Sequence, residues 1–90
     1  MPSSSELVAP VRLPDGVALH ARPAGAFVRE AARAEAEVTV SVNGRTANAK
    51  SILDVLALGA TGGTELVISA SGADAAEALE RLTELVANLT

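Results

Sequence analysis

The residues best suited to chemistry are the single histidine and an arginine two positions after it. Both lie in the segment Leu19-His20-Ala21-Arg22-Pro23-Ala24. Imidazole has an unperturbed pKa of about 6.5, so a histidine can act as nucleophile and as leaving group near neutral pH. A guanidinium binds phosphate oxygens through two parallel hydrogen bonds. We therefore expect His20 to carry an anionic group and Arg22 to stabilise it.

A helix is predicted directly after His20, over residues 21–34. Pro23 suits the first turn of a helix. The apolar residues that follow have the spacing of one helix face: Ala24, Phe27, Val28 and Ala31. Unpaired N–H groups and the positive end of the helix dipole would point towards His20, a position that favours phosphate binding. The residue before a proline is biased away from helical angles, which would put Arg22 at the cap and His20 outside the helix.

The composition excludes several classes of function. The chain has 90 residues, a formal net charge of −4 and no Cys, Trp or Tyr. A nucleic-acid surface needs clustered Lys and Arg, usually with aromatic rings, so we expect no nucleic-acid partner. Without cysteine, and with one histidine, we predict no metal site and no cofactor. No segment has the pattern of a signal peptide or a membrane span, so we expect a cytoplasmic protein with no membrane insertion.

The remaining segments read as four strands and two more helices. The predicted strands are residues 7–13, 37–42, 45–49 and 65–70. Pro10 cannot donate to a central ladder, so we expect the first strand at an edge. Asn43-Gly44 is a strong signal for a tight hairpin between the second and third strands.

The second predicted helix begins after Ser51 and ends at Gly59, and the third carries an apolar stripe. The stripe consists of Leu79, Leu82, Leu85, Val86 and Leu89. The order βαββαβα predicts an antiparallel sheet with helices on one face. A chain of this length predicts one domain, 1–90, and the small polar residues 1–5 predict a flexible terminus.

Several short segments, spread over nearly the whole chain, form a recognisable set. They are Gly16, Leu19 to Ala24, the Asn43-Gly44 hairpin, Ala49-Lys50-Ser51-Ile52, Leu58-Gly59, Gly62-Gly63-Thr64 and Ile68 to Asp74. Through them the chain resembles HPr, the histidine-containing phosphocarrier family of the bacterial phosphoenolpyruvate:sugar phosphotransferase system. The resemblance implies an α+β fold, the HPr-like open-faced β-sandwich. Its four-stranded antiparallel sheet has the order 1-4-2-3 and three helices on one face.

The resemblance also implies a function for this chain. His20 matches the histidine that takes a phosphoryl group on Nδ1 from phosphorylated enzyme I and passes it to a sugar-specific enzyme IIA. Arg22 matches the arginine that stabilises the phosphate, and Ser51 matches a serine modified by HPr kinase/phosphorylase in many Gram-positive relatives. Such a protein is a carrier that turns over only with partner enzymes, and we expect a monomer. Which sugar it serves is a property of the permease.

The chain departs from the family pattern before the histidine. Relatives usually run glycine directly into the Leu/Ile-His pair, whereas Val17-Ala18 stand between Gly16 and Leu19 here. We therefore expect the loop before His20 to be two residues longer.

Residues 50–56 contain two further candidate sites. Ser51 is predicted to be a helix N-cap, which stabilises the fold by about 1 kcal/mol. The sequence leaves open whether it is also a regulatory phosphorylation site. Ile52, Leu53 and Leu56 match a family docking surface for enzyme I and enzyme IIA, and we expect at least two of them to be exposed. Lys50 and Arg22 would give this patch a positive rim that steers acidic partners.

Two other functions compete with the phosphocarrier. One is a regulatory HPr-like paralogue that acts mainly by phosphorylation-dependent binding to partner proteins. The other is an acyl-carrier protein, suggested by an acidic domain with a serine before a helix. The second is disfavoured because Lys50, and not aspartate, precedes Ser51, and because the strand patterns do not suit an all-helical carrier.

Overall fold

The computed structural model describes residues 6–90, which form a four-stranded antiparallel sheet and three helices. The strands are β1 (Leu7–Arg12), β2 (Glu37–Val42), β3 (Arg45–Asn48) and β4 (Glu65–Ser71), and the helices are α1 (Ala21–Ala32), α2 (Ile52–Ala57) and α3 (Ala75–Ala87). The sheet order is β1-β4-β2-β3, so the predicted class and strand order are confirmed. The predicted flexible segment, residues 1–5, lies outside the described residues.

The core lies between one face of the sheet and the helices. Alternate residues of β2 and β4 are buried, and they are Val38, Val40, Val42, Leu66, Ile68 and Ala70. The helices cover them with Phe27, Ala31, Val55, Leu82 and Val86, among others. Phe27 is fully buried and is the only aromatic residue of the chain. A core of small aliphatic side chains therefore packs around one ring.

Two local predictions for the sheet are confirmed. Pro10 lies in β1, which among residues 6–90 pairs only with β4 and so forms an edge of the sheet. Asn43 and Gly44 connect β2 and β3 and both have positive φ, 52° and 83°. Positive φ at both central residues is the signature of the type I′ turn, whose twist matches that of the paired strands.

Helix α1 begins at Ala21, as predicted, whereas the cap at Arg22 that the bias before Pro23 favoured is wrong. His20 is the N-cap, with extended angles (φ −100°, ψ −165°), and its carbonyl accepts a bond from the Ala24 N–H at 2.8 Å. Arg22 is therefore inside the first turn. Pro23 removes no helical hydrogen bond, because a helix leaves its first N–H groups unpaired. The steric bias on Arg22 is outweighed by the packing of Ala24 and Phe27 in the core.

The other ends differ by one or two residues. Helix α1 ends at Ala32 instead of 34, because the Arg33 and Ala34 N–H groups bond to carbonyls three residues back. Strand β3 ends at Asn48, one residue early, and β4 continues to Ser71, which pairs with Glu37 of β2.

Candidate functional site

His20 stands exposed at the N-terminus of α1, and its side chain makes no capping hydrogen bond. The Ala21 and Arg22 N–H groups open the helix without a partner among residues 6–90, and Pro23 has no N–H. The imidazole is thus free to react next to two unpaired donors and the positive end of the helix dipole. Arg22 is also exposed and extends from the same turn.

An open cleft of about 280 Å³ adjoins His20. One wall is formed by Gly16 and Val17 of the preceding loop, and another by residues 88–90, which follow α3. Helices α1 and α3 run antiparallel, because the start of α3 lies beside the end of α1 and the end of α3 lies at this cleft. The cleft therefore brings together three segments that are distant in sequence.

The loop before His20 is fixed at both ends. At its start the Leu13 N–H bonds to the Thr64 carbonyl at 2.9 Å, and the Gly63 N–H bonds back to the Leu13 carbonyl at 3.0 Å. At its end the Leu19 N–H bonds to the Ala60 carbonyl at 2.9 Å, and the Leu19 side chain is buried. Residues 14–18 of this loop therefore lie between two anchors, and the second anchor holds the backbone directly before His20. The extra length of the loop stays a prediction.

Ser51 is the N-cap of α2, as predicted. Its backbone is extended, and its hydroxyl accepts a hydrogen bond from the Asp54 N–H at 3.3 Å. This is a long bond, just beyond the usual N–H···O range of about 2.7–3.2 Å. The cap explains why a serine stands here, and phosphorylation of Ser51 stays a prediction.

The docking patch of Ile52, Leu53 and Leu56 is partly open to solvent. Leu53 is 75% exposed and Ile52 38% exposed, whereas Leu56 is half-buried against the core. The expected exposure of at least two of these side chains is therefore found, and their role in docking stays a prediction.

The predicted positive rim around this patch stays a prediction, and the structure places its two cations in different surroundings. The Lys50 ammonium donates a 2.7 Å hydrogen bond to the carbonyl of Ala34, just beyond the end of α1. Arg22 lies in the first turn of the same helix, and a helix of that length spans about 18 Å. The two cations lie near opposite ends of α1 because the carbonyl groups at its C-terminus attract Lys50.

Asp74 has a structural role that the sequence reasoning missed. Its carboxylate accepts the N–H groups of Glu35 at 3.0 Å and Ala36 at 2.8 Å, across the turn that follows α1. These bonds, first that from Glu35 and then that from Ala36, hold the pKa of Asp74 below its ordinary value of 3.8. An aspartate directly before a helix suggests an N-cap, but this side chain makes no capping bond to α3.

Arg45 makes a second structural contact that the sequence did not predict. Its guanidinium donates to the carbonyl of Ala57, the last residue of α2, at 2.8 Å. The hairpin thereby holds the end of the helix that carries the docking patch. Arg45 directly follows the hairpin residues Asn43-Gly44, and this local pattern does not predict a contact with α2.

Within residues 6–90 the longest helix has 13 residues, and none is long and apolar enough to cross a membrane.

Comparisons with known proteins agree with this geometry. Residues 9–88 match the family model described as "PTS HPr component phosphorylation site". The phosphocarrier protein HPr of Vibrio cholerae is 46% identical over 71 residues, covering 79% of this chain and 84% of that protein. The HPr-like protein Crh of Bacillus subtilis is 45% identical over 76 residues, 84% of this chain and 87% of Crh. A crystal structure of HPr from Bacillus anthracis superposes with a TM-score of 0.87 at 38% identity, covering 91% of this chain and 98% of that one.

Proposed function

The chain belongs to the HPr family of phosphotransferase-system phosphocarriers, and from this premise we propose that His20 is its phosphorylated residue. Nδ1 of His20 attacks the phosphoryl group of phosphorylated enzyme I, so that a new P–N bond forms as the bond to the donor breaks. An enzyme IIA domain then attacks the phosphoryl group on His20, and the P–N bond to Nδ1 breaks as the bond to enzyme IIA forms. The carrier, residues 1–90 acting as one domain in the cytoplasm, turns over only with these partners.

The observation that carries the proposal is the exposed imidazole at the N-cap of α1. Because the His20 side chain makes no capping bond, both ring nitrogens are available to a partner. The Ala21 and Arg22 N–H groups provide donors for the transferred phosphate. Phosphoryl transfer depends mainly on positioning and charge stabilisation, which an exposed helix end and a partner's site can supply together.

Arg22 stabilises the phosphate by its charge without enclosing it. Its side chain is exposed on the first turn of α1, so the partner can displace it when the group moves on. A carrier needs this balance, because a closed set of donors would hold the phosphate against transfer.

Intact-mass measurement after incubation with phosphoenolpyruvate and enzyme I tests the proposal. Wild type should gain one acid-labile phosphoryl group, and His20→Ala should gain none. Ser51→Ala is the matched control and should be phosphorylated like wild type, because it keeps His20. A phosphoryl group on serine would be stable to acid, so acid lability also distinguishes the two residues. Failure of wild type to be modified by enzyme I of its own host would refute the proposal.

The similarity to Crh favours one alternative, a regulatory protein that acts through partner binding. In that case phosphorylated protein would form a lasting complex with a partner and would not pass the group to an enzyme IIA. Measuring loss of the phosphoryl group on adding enzyme IIA separates the two functions. Intact-mass measurement after incubation with HPr kinase/phosphorylase and ATP tests whether Ser51 is modified.

A further inference from the structure

Gly62 lies in the turn between α2 and β4, against the loop that precedes His20. A Cβ atom at this position would lie 2.5 Å from the Gly16 nitrogen, and 3.0 Å from both the Pro14 oxygen and the Val17 nitrogen. All three are main-chain atoms, so no flexible side chain could move aside. Gly62 has no positive φ, unlike its neighbour Gly63. Lack of space, and not the backbone angle, therefore requires a glycine at position 62.

The atoms that a Cβ would meet close a turn of the loop. The Val17 N–H donates to the Pro14 carbonyl at 3.1 Å, and both of these atoms lie within 3.0 Å of the missing Cβ. A side chain at position 62 would press on this hydrogen bond and push the 14–17 turn away.

The 14–17 turn is also a wall of the His20 cleft, through Gly16 and Val17. His20 itself is held separately, because Leu19 is bonded to Ala60 and the His20 carbonyl accepts from Ala24. Displacing the turn would therefore move the wall that a partner meets and would leave the imidazole in place.

We propose that Gly62 is a positioning residue for phosphoryl transfer, whose missing side chain lets the 14–17 turn pack closely and so sets the shape of the His20 cleft. The inference rests on the proposed function for its kinetic consequence. It also gives a structural partner to Val17, one of the two residues that are predicted to lengthen the loop.

Gly62→Ala tests this role in phosphoryl transfer from enzyme I. The KM for this chain as acceptor should rise roughly tenfold, which corresponds to about 1.4 kcal/mol of lost uniform binding, while kcat changes less because His20 stays in place. Gly72→Ala is the control: its Cβ would also meet the main chain, at 3.1 Å from the Ala36 Cα, but just before α3, at the end of that helix away from the His20 cleft, and it should leave the KM unchanged. An unchanged KM for Gly62→Ala, or an equal rise in both variants, would overturn the positioning role.

A deletion of Val17 and Ala18 supplies a second, independent arm. The deletion removes part of the turn, so adding Gly62→Ala to it should raise the KM little further. If the KM increase of the double variant equals the product of the two single increases, the inference is overturned. If Gly62→Ala does not fold, recovery of the fold in the deleted chain supports the contact, and continued failure overturns it.

NMR spectra distinguish this inference from the proposed function. Outside residues 61–63, Gly62→Ala should shift the Gly16 and Val17 amide resonances most, and unmoved resonances would overturn the contact. If wild type accepts no phosphoryl group, the proposed function fails, and these shifts alone decide whether Gly62 shapes the cleft.

Discussion

Leu53 allows the docking patch to be tested quantitatively. It is the most exposed large apolar side chain of residues 6–90, at 75%. Complete burial of a leucine side chain is worth about 1.5–3 kcal/mol. A partner can bury only the exposed three quarters, which corresponds to about 1–2 kcal/mol. Because 1.4 kcal/mol is a factor of ten in affinity, Leu53→Ala should weaken docking roughly fivefold to thirtyfold.

The assay is the initial rate of phosphoryl transfer from phosphorylated enzyme I over a range of carrier concentrations. The loss should fall on the KM, because the leucine contributes equally to the bound ground state and to the transition state. Urea denaturation should show a small change in the free energy of unfolding, since the side chain makes few contacts in the free protein.

Val8→Ala is the matched control. Val8 is 56% exposed but lies on β1 at the sheet edge, away from α2. It should leave the KM unchanged. If Leu53→Ala has the KM of wild type, or if both variants lose equally, the patch is not a docking surface for enzyme I.

Two further predictions concern polar contacts at helix ends. Ser51→Ala should lower the free energy of unfolding by about 0.5–1 kcal/mol, while Ser51→Asp should retain the cap. Urea denaturation of both variants measures this difference. If Ser51→Ala is as stable as wild type, the 3.3 Å hydrogen bond contributes nothing to stability. Asp74 stabilises the fold above its ordinary pKa of 3.8, and this stabilisation is lost as the pH falls through its lowered pKa in the folded state. Asp74→Asn should therefore be less stable than wild type at neutral pH and should lose less stability in acid. The measurement is the free energy of unfolding of both proteins at a series of pH values below 7, and an equal decrease in both would contradict this prediction.

The elements of the fold were predictable because their signals are local. Alternating valines mark β2, Asn43-Gly44 requires positive φ at two successive residues, and Ser51 stands at capping distance from Asp54. Each signal lies within a few residues of the structure that it specifies. The strand order then follows from the family resemblance, together with the exclusion of Pro10 from the centre of the sheet.

The contacts between distant segments were not predictable in this way. Asp74 binds main-chain groups 39 and 38 residues away, and Lys50 binds a carbonyl 16 residues away. A carboxylate or an ammonium has the same local signature whether it is solvated or bonded. The close approach at Gly62 is likewise a property of two loops together, so a glycine-rich turn in the sequence does not reveal it.

The solitary aromatic ring makes this protein unusually easy to label. Without Trp or Tyr the chain has almost no near-ultraviolet absorbance or intrinsic fluorescence, so ordinary optical probes of folding are weak. Incorporation of fluorinated phenylalanine would give one fluorine resonance, from Phe27 in the centre of the core. The ring lies seven positions after His20 on α1, about 10 Å along the axis. A single spectrum would therefore monitor core packing and histidine modification together.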